Sequence, residues 1–413
     1  MIAHSIVLPR LLYISDVPVE ASYHGSALLF RLLQDWPAER LRVIEANLLR
    51  SLPERRLPGV QYEELRVGNQ RLLHTRFAGW YAAWLMRSPG VPGQVARLLR
   101  TFRPEAVLTV THGFSWLTAA RFAAQCGLPL HLICHDDLPR TATLPERFRP
   151  WLDRQFGRVY RQAVSRLCVS PFMREAYRER YRAEGTLLYP SRSADCPRFD
   201  APPERISRSG HPFTVAFGGT LNSPGYVKAL VKVAHALAAI DGRLLIFGPV
   251  TSEAAREAGL ERPNVVLGGL VKSSKLITRL REEADALFVP MSFDPAEAAN
   301  MRMGFPSKLT DYAAVGLPLL VFGPPYCSVV RWAQENQGVA AVVTQDDPEL
   351  LAASIRRIAQ SPSYRIELGR CALEAGRKFF ACEAGRQILV EALSGHRPAF
   401  VDVPTQVAVE SVS

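Results

Sequence analysis

Short apolar runs alternate with segments of helical periodicity along most of this 413-residue chain, and that alternation restricts its fold more than any other feature. In the first half, apolar runs at 104–110 and 128–134 enclose a helix-like segment, and a third run at 166–170 ends at Ser170. Ser170 followed by Pro171 predicts the N-cap and the first residue of the next helix. Strands that alternate with helices in this way are typical of an α/β domain with a parallel sheet.

The second half repeats the alternation after a stretch rich in Pro, Ser and Arg. We predict an N-terminal domain at 1–200, a linker at 201–212, a second domain with terminal helices at 213–395 and a loose tail at 396–413. The predicted fold class is α/β, with two doubly wound Rossmann-like domains facing a central cleft, where ligands bind at the carboxyl ends of the strands. The strands predicted for the second domain are residues 213–219, 243–248, 264–269, 284–290, 317–323 and 339–343.

The distribution of apolar residues and cysteines argues against several classes of protein. The longest apolar runs, such as 317–322, are strand-sized and well short of the roughly 18 to 20 residues that span a bilayer. Residues 1–15 lack the basic and small-residue flanks of a signal peptide, so we predict a buried strand there. The seven cysteines form no C-x-x-C pair and fit neither a disulfide framework nor a zinc site. We therefore expect a cytoplasmic protein with reduced thiols.

The formal charge of +11 arises entirely from the first half of the chain. Residues 1–210 contain 30 arginines, no lysine and 19 acidic residues, whereas residues 211–413 contain equal numbers of basic and acidic residues. The excess predicts an anionic partner: phospholipid headgroups at the inner face of the membrane, a lipid-diphosphate acceptor or nucleic acid. The alternative is that arginine serves as the ordinary basic surface residue of this chain. Nucleic acid is the least favoured partner, because no binding motif with interleaved aromatic residues is present.

The stretch MGFPSKLTDYAAVGLPLLVFGPP at 303–325 combines features that suit an anionic ligand. Ser307 is the predicted N-cap of a helix, Lys308 and Asp311 lie three residues apart on one face near its start, and Gly316 ends it. A helix N-terminus with an ammonium group favours a nucleotide diphosphate, and a carboxylate one turn later can accept hydrogen bonds from vicinal hydroxyls. The alternative is that Lys308 and Asp311 form a solvated ion pair that contributes little to stability, and on an isolated helix this alternative would be preferred.

A second loop, within FGGTLNSPGYVKAL at 217–230, joins a predicted strand to a helix that begins after Pro224. The backbone N–H groups of Gly218, Gly219 and Thr220 are predicted to face a phosphate, because glycine leaves the backbone open to such an approach. Glycines at a strand-to-helix connection are also common as simple turn residues.

The segments ADALFVPMSF (284–293) and GFPSKLTDYAAVGLPLLV (304–321) resemble the nucleotide-binding region of GT-B glycosyltransferases. The group concerned is the large nucleotide-sugar-dependent one that includes bacterial polysaccharide and lipopolysaccharide enzymes. In those enzymes two glutamates eight positions apart flank the loop. The first lies near the donor sugar, and the second accepts hydrogen bonds from the ribose hydroxyls. In this sequence the second position is Asp311, and the first is Met303, which carries no carboxylate.

The same resemblance implies donor contacts outside this helix. Glu297 and Asp294, in the preceding loop, are the carboxylates that can approach the space of the missing glutamate. Leu270 and Val271, after the third strand of the second domain, would meet the base mainly through backbone groups. Gly25, in the loop after the first strand of the chain, would let the backbone approach the donor or the acceptor.

The N-terminal half is expected to supply the catalytic groups. His135 follows a buried strand directly, at the position where related retaining enzymes carry a histidine that contacts the transferred sugar. Asp136 or Asp137 would then orient the reacting groups or accept a proton. For His112 and His24 we predict polar loop residues. The sequence offers no cluster of histidines and carboxylates with ligand spacing, and the resemblance implies that neither an essential metal nor a cofactor is needed.

Together these features predict a glycosyltransferase, of hexosyltransferase type, that moves a sugar from a nucleotide diphosphate sugar to a hydroxyl acceptor in polysaccharide, glycolipid or other glycoconjugate biosynthesis. Stabilisation of the leaving diphosphate would be the main catalytic effect. Two alternatives stay open: an enzyme resembling nucleotide-sugar 2-epimerases, which needs no acceptor, and a catalytically silent scaffold subunit, which the missing first glutamate would explain. The expected partners are a nucleotide diphosphate sugar, a carbohydrate or lipid-linked acceptor and an anionic membrane surface, without nucleic acid.

Overall fold

The computed structural model describes residues 8–22, 24–46, 50–65, 72, 75–87, 95, 101–142, 144–204, 211–221, 223–271 and 273–394. These residues form two parallel β-sheets whose strands alternate with helices along the chain. The strand order reverses once in each sheet, which is the arrangement of a doubly wound α/β fold. The fold class predicted from the sequence is therefore confirmed.

The first sheet has the strand order β3-β2-β1-β4-β5-β6-β7, and every neighbouring pair is parallel. Its strands are β1 (Leu11–Ser15), β2 (Leu41–Ala46), β3 (Gln61–Leu65), β4 (Ala106–Val110), β5 (Leu130–Cys134), β6 (Ser165–Cys168) and β7 (Thr186–Leu187). The α-helices that accompany it are His24–Leu33, Ala78–Arg87, Ser115–Gln125, Leu138–Thr141, Arg149–Gln162 and Pro171–Tyr181. The short 3-10 helices are Ala38–Arg40, Pro53–Arg55 and Glu146–Phe148.

The second sheet has the strand order β10-β9-β8-β11-β12-β13 and is also parallel throughout. Its strands are β8 (Thr214–Gly218), β9 (Arg243–Phe247), β10 (Val265–Gly269), β11 (Ala286–Pro290), β12 (Leu319–Phe322) and β13 (Ala341–Val343). The α-helices that follow its strands are Pro224–Ala238, Ser252–Glu257, Ser273–Glu283, Ala298–Met303, Lys308–Tyr312, Ser328–Glu335, Pro348–Gln360, Pro362–Phe379 and Cys382–Ser394, and Pro295–Glu297 is a 3-10 helix.

Burial accounts for the strong sequence signal of the central strands of the first sheet. The central strands β1, β4 and β5 are buried at every residue, as expected for parallel strands covered on both faces, and they read as continuous apolar runs. The edge strand β3 is buried only at Leu65, so its sequence, QYEEL, carries no such run. β3 was not predicted, and neither were β2 and the two-residue strand β7.

Side-chain caps fix the start of two helices where the sequence placed them. Ser170 Oγ accepts a hydrogen bond from the backbone N–H of Met173, and Ser223 Oγ accepts one from Tyr226. In both helices a proline follows the cap, at a position where its missing N–H costs nothing. The predicted helix start at Ser170 is confirmed.

The chain crosses from one sheet to the other more than once. The final helix, Cys382–Ser394, packs on the first sheet, where Leu389 and Leu393 join the apolar cluster around β1. A hydrogen bond also joins the two halves of the chain, since Ser170 Oγ donates to the carbonyl of Met303 at 2.6 Å. The sequence pattern did not predict that the last helix returns to the first sheet.

Within the described part of the chain, no helix combines the length and hydropathy needed to cross a bilayer. The cysteines, all of which are described, are free thiols.

Candidate functional site

The carboxyl ends of four strands define the region where this fold binds ligands. In the first sheet the strand order reverses between β1 and β4, and in the second sheet between β8 and β11. Loops diverge at such a reversal and leave a crevice between them. The sequence-predicted site residues follow these strands or their neighbours, so the fold places them along two crevices.

Three side chains from adjacent loops form a cluster at the first crevice. Asp136 Oδ2 lies 3.7 Å from His112 Nδ1 and 3.5 Å from His135 Nε2. The loop that follows β4 carries His112, and the loop that follows β5 carries the other two residues. His112 is a polar loop residue, as predicted, and it meets the other two side chains because β4 and β5 are neighbours in the sheet. The side chain of His24 lies outside the described residues.

The same cluster contradicts the expectation that no histidines and carboxylates meet at ligand spacing. One possible ligand atom from each of His112, His135 and Asp136 lies within 4.8 Å of the others. Such spacing is compatible with a metal ion, and an ion pair between a protonated histidine and the carboxylate accounts for it equally well.

The pKa values of the two histidines of the cluster are shifted in opposite directions. The hydrogen bond with Asp136 raises the pKa of His112, while burial lowers the pKa of His135. Burial alone would raise the pKa of Asp136, but the neighbouring histidines outweigh it and lower that pKa. At neutral pH the arrangement therefore favours a neutral His135 beside an ionised Asp136. The Nε2 atom of His135 is buried and has no hydrogen-bond partner among the described residues.

Two residues after β1 position this cluster: Asp16, in the loop that follows the strand, and Gly25, which lies in the first turn of the helix His24–Leu33 rather than in the predicted loop. A Cβ atom at Gly25 would lie 2.9 Å from Cε1 of His135, so only glycine leaves the imidazole where it is. Asp16 Oδ2 accepts hydrogen bonds from the backbone N–H groups of Phe114 and Ser115, at 2.7 Å each. Asp16 thereby fixes the start of the helix after β4. Nothing in the sequence pattern indicated this role for Asp16.

Asp137, the alternative to Asp136, serves the fold instead. Its carboxylate is buried and accepts a 2.8 Å hydrogen bond from the guanidinium of Arg180. Tyr177 Oη donates to the same carboxylate at 3.4 Å. These contacts tie the loop after β5 to the helix Pro171–Tyr181, and they leave Asp136 as the carboxylate of the cluster.

Lys308 lies at the second crevice in an aromatic environment. Its Nζ lies 4.1 Å from the centre of the Phe217 ring and 5.1 Å from that of Tyr226. A Cβ atom at Gly219 would lie 3.2 Å from this Nζ, so the glycine leaves room for the ammonium group. Burial lowers the pKa of Lys308 to about 7. Among the described residues, no carboxylate forms an ion pair with Lys308; Asp311, for example, pairs with Arg31.

The glycine loop after β8 differs from the expected phosphate cradle. The N–H of Gly218 donates to Tyr312 Oη, and that of Gly219 donates to the carbonyl of Phe247 at 2.9 Å. Both amides are thus engaged within the protein, because the second sheet and the helix Lys308–Tyr312 approach the loop closely. A phosphate contact from Gly218, Gly219 or Thr220 stays a prediction.

The helix that follows Gly304-Phe305-Pro306 is shorter than predicted, and it begins at a different residue. It spans Lys308–Tyr312 and continues as turns to Gly316, whose φ of +77° ends it in the left-handed region. Ser307 precedes the helix, but its side chain caps nothing, since its backbone is already helical at φ −58° and ψ −29°. Its carbonyl instead accepts a 2.8 Å hydrogen bond from Thr310 Oγ1.

Asp311 faces the first sheet rather than Lys308. Its Oδ1 lies 3.7 Å from Nη1 of Arg31, so Asp311 forms an ion pair between the two halves of the chain instead of the solvated pair with Lys308 that was the alternative to a ligand site. Burial raises the pKa of Asp311, and the positive charges of Arg31 and Arg192 oppose that rise. Neither arginine was predicted, because each comes from sequence far from residue 311. Ribose binding by Asp311 stays a prediction.

The position of the missing glutamate is filled by an apolar side chain. Met303 is buried, and its carbonyl is bonded to Ser170. Glu297 accepts hydrogen bonds from Ser223 Oγ at 2.8 and 2.9 Å, which places its carboxylate at the start of the helix after the glycine loop. Asp294 accepts a 2.9 Å hydrogen bond from the N–H of Ala296 and so closes its own turn.

Tyr226 links the two crevices. Burial raises the pKa of Tyr226, and the negative charges of Cys327, Glu297 and Asp136 add to that rise. Asp136 belongs to the first sheet and Tyr226 contacts Lys308, so a charge of the histidine cluster acts on a residue of the lysine site. The sequence analysis missed Tyr226, although it lies only six residues after Thr220 in the predicted loop and helix.

The predicted base contacts stand apart from these groups. Leu270 is 59% exposed and follows β10, while Val271 is half-buried beside it. An exposed leucine at the carboxyl end of a strand is available to a ligand, and contact with a base stays a prediction.

Solved structures of similar fold support one architecture. HepE from Anabaena, solved with UDP and glucose, superposes with a TM-score of 0.66 at 14% identity, covering 94% of this chain and 100% of that one. Sucrose-phosphate synthase from Thermosynechococcus elongatus gives 0.64 at 14% identity, covering 92% and 97%. Trehalose 6-phosphate synthase from Burkholderia multivorans gives 0.62 at 14% identity, covering 94% and 97%. The protein has the GT-B fold.

A sequence comparison points to the same class from the other half of the chain. Residues 52–189 match the sequence model of Glycosyltransferase Family 4. The matched stretch lies in the first sheet, whereas the resemblance noted in the sequence lies in the second. A comparison with curated proteins finds no match. The predicted resemblance to GT-B glycosyltransferases is confirmed by both the family match and the fold.

Proposed function

We propose that this protein is a nucleotide-sugar-dependent glycosyltransferase, which moves a hexosyl group from a nucleoside diphosphate sugar to a hydroxyl acceptor. The observation that carries the proposal is the ammonium group of Lys308. The side chain of Lys308 is half-buried against two aromatic rings, beside a glycine loop at a strand-order reversal, and has no carboxylate partner among the described residues. A buried cation without a counterion is costly, and an anionic ligand such as a diphosphate supplies the missing charge.

The reaction follows from the charges at the two crevices. The bond between the anomeric carbon and the diphosphate oxygen breaks, and the negative charge that grows on the diphosphate is stabilised by Lys308. A bond forms between the anomeric carbon and the acceptor oxygen, and the proton of the acceptor hydroxyl passes to an oxygen of the departing diphosphate. Because charge develops on the leaving group as its bond breaks, a cation placed there acts more strongly in the transition state than on the bound donor.

The histidine cluster would hold the sugar from the opposite side. Neutral His135, whose Nε2 makes no hydrogen bond among the described residues, can exchange one with a sugar hydroxyl. Ionised Asp136 accepts a hydrogen bond from a hydroxyl of the sugar or the acceptor, and His112 keeps that carboxylate charged. These roles orient the reacting atoms, which is a main source of rate in group transfer.

The donor and the setting extend this proposal. HepE was solved with UDP-glucose, which makes a uridine diphosphate hexose the first donor to test. The excess of arginine in residues 1–210 supports an acceptor or surface that carries negative charge, as in polysaccharide or glycolipid synthesis at the cytoplasmic face of a membrane.

Binding of a panel of nucleoside diphosphates, measured by thermal shift on the parent and on Lys308→Met, tests the donor site. We expect at least one diphosphate to raise the melting temperature of the parent and to leave that of Lys308→Met unchanged. Equal shifts in both proteins, or no shift with any nucleotide, would refute the proposed site.

Incubation with nucleoside diphosphate sugars, without an acceptor, separates the proposal from its alternatives. Slow release of the nucleoside diphosphate supports a transferase. Interconversion of the sugar would identify an epimerase, and the absence of any nucleotide binding would favour a silent scaffold.

A further inference from the structure

One helix of the first domain presents large aromatic side chains to solvent. In the helix Ala78–Arg87 and the residue before it, Phe77 is 55% exposed, Trp80 is 43% exposed and Trp84 is 57% exposed. The spacing 77, 80, 84 and 87 places these three residues and Arg87 on one side of a helix. We call Phe77, Trp80, Trp84 and Arg87 the aromatic face.

The opposite side of the helix satisfies the ordinary demands of folding. Ala83, Leu85 and Met86 are buried, and the guanidinium of Arg121 donates to the carbonyl of Met86 at 3.1 Å. The helix is therefore anchored to the domain by its other side. The aromatic face lies outside that anchoring contact, although exposed tryptophans are rare because their burial is strongly favourable.

Arginine side chains surround the aromatic face. The guanidinium of Arg147 lies 3.8 Å from the centre of the Trp80 ring, and that of Arg76 lies 4.8 Å from the Phe77 ring. Arg87 reaches back over the ring of Trp151, at 5.3 Å. Guanidinium groups stacked on exposed rings keep their charge at the surface while the rings stay apolar.

The aromatic face is connected to the catalytic crevice through the segment that follows β5. Trp80 packs edge-to-face on Phe148, with ring centres 5.3 Å apart. The next residue, Arg149, donates to the carbonyl of Arg140, in the short helix that begins two residues after Asp136. A surface bound at the aromatic face would thus lie beside the part of the site that receives the acceptor.

We propose that the aromatic face, with Arg76 and Arg147, docks the protein on the surface of an anionic phospholipid bilayer. Tryptophan and phenylalanine partition into the headgroup boundary, where an apolar ring and a polar edge are both accommodated. The arginines face the anionic headgroups, and residues 1–210 carry a formal excess of 11 positive charges that acts in the same direction. Because the described helices do not span a bilayer, this attachment is peripheral.

Tryptophan fluorescence offers a direct test. Among the six tryptophans, Trp36, Trp116 and Trp332 are buried and Trp151 is half-buried, so Trp80 and Trp84 are the exposed ones. Vesicles of brominated phosphatidylglycerol should quench the full chain, and brominated phosphatidylcholine vesicles should quench it much less. In Trp80→Phe/Trp84→Phe, which keeps the aromatic face apolar, vesicle binding should persist while the quenching is lost. Unchanged quenching in this variant would overturn the proposal.

Co-sedimentation with phosphatidylglycerol vesicles measures the two contributions separately. We expect Trp80→Ser/Trp84→Ser to lower binding about tenfold or more through the lost apolar contact. Arg87→Glu/Arg147→Glu should lower it at least tenfold, and added salt should weaken the parent in the same way. These variants leave Lys308 and the histidine cluster untouched, so nucleotide binding should stay at the parental level.

Matched controls lie on the second domain. Leu350→Ser/Ile366→Ser changes two apolar residues that are 43% and 44% exposed, and Arg256→Glu/Lys378→Glu makes the same change in charge as the arginine pair. Both controls should bind vesicles like the parent. Equal losses in the controls would mean that net charge or apolarity alone governs binding. A concentration-dependent dimer that is lost only in the tryptophan variants would assign the aromatic face to a second copy of the chain. Either result would overturn the proposal.

Discussion

The ammonium group of Lys308 lies 4.1 Å from the centre of the Phe217 ring, at the end of the first strand of the second sheet. The ring supplies some electrostatic compensation, but far less than a carboxylate or a phosphate would. Burial consequently lowers the pKa of Lys308 to about 7, so in the unliganded protein this side chain is only partly protonated near neutral pH. A diphosphate would restore the charge of this residue when it binds.

Substitution of Lys308 by methionine should separate ligand binding from folding. The apolar side chain keeps the length and removes the desolvated charge, so the melting temperature of the unliganded protein should rise. Affinity for a nucleoside diphosphate should fall by about 1.5 to 3 kcal/mol, the usual value of a hydrogen bond to a charged group. Thermal shift and isothermal titration measure the two effects, and a lower melting temperature with full affinity would contradict this account.

Nucleotide affinity should depend on pH through the same residue. Above pH 7 the unliganded protein increasingly holds neutral Lys308, so diphosphate affinity should fall as the pH rises from about 7 to 9. The sign for folding is opposite: between pH 7 and the ordinary value of 10.5 the unfolded chain binds the extra proton, so the unliganded protein gains stability as the pH rises. Lys308→Met should lose both slopes, and Lys308→Arg should keep its affinity at high pH.

Asp311→Asn tests the second position of the glutamate pair. The variant retains the size of the side chain but loses the charge and one strong acceptor, so donor affinity should fall by about 1 to 3 kcal/mol. The fold should survive, because burial already raises the pKa of Asp311 in spite of Arg31. A deoxyribose donor is the control, since the variant should discriminate less between ribose and deoxyribose than the parent does. Parental affinity in a normally folded variant would restrict Asp311 to its ion pair with Arg31.

Gly25→Ala should act through His135. The added methyl carbon would lie 2.9 Å from the imidazole, so the ring must move and turnover should fall about tenfold to a hundredfold, while nucleotide affinity changes little. The control is the double variant with His135→Ala, which should be no slower than His135→Ala alone. If the two losses multiply instead, Gly25 has a role independent of the histidine.

The pairing of His112 with Asp136 should appear in the pH dependence of stability. The raised pKa of His112 adds stability that is complete below 6.5 and is lost as the pH rises through its folded value. The lowered pKa of Asp136 adds stability that is complete above 3.8 and is lost as the pH falls through its folded value. Asp136→Asn should therefore destabilise most between pH 4 and 6.5, by about 0.5 to 1 kcal/mol for so exposed a pair.

Urea unfolding of Asp136→Asn at a series of pH values measures this difference. His112→Gln is the matched variant, because it removes the other partner, and its loss of stability should show the same pH window. Losses that do not vary between pH 5 and 8 would mean that the two residues do not form a pair in solution.

Most of the apolar strands and two of the helix starts could be predicted from the sequence alone. The apolar runs of β4, β5, β8, β9, β11 and β12 are long enough and buried enough to specify strands without reference to their neighbours. Ser170 with Pro171, and Ser223 with Pro224, fix helix starts through contacts within four residues. Such short-range signals also located the loop at 304–306 and the strand end before His135, because each of these features depends on residues close together in the chain.

Tertiary structure alone decided how these elements meet. His112 joins His135 and Asp136 because β4 and β5 pair, and Asp311 faces Arg31 because two domains close on each other. The polar strand β3 exists because β2 offers it a parallel edge, and the final helix returns to the first sheet because Leu389 and Leu393 find an apolar surface there. In each case the deciding contact joins residues distant in sequence. A periodic pattern identifies which side of an element is apolar, but it carries no information about which distant element will cover that side.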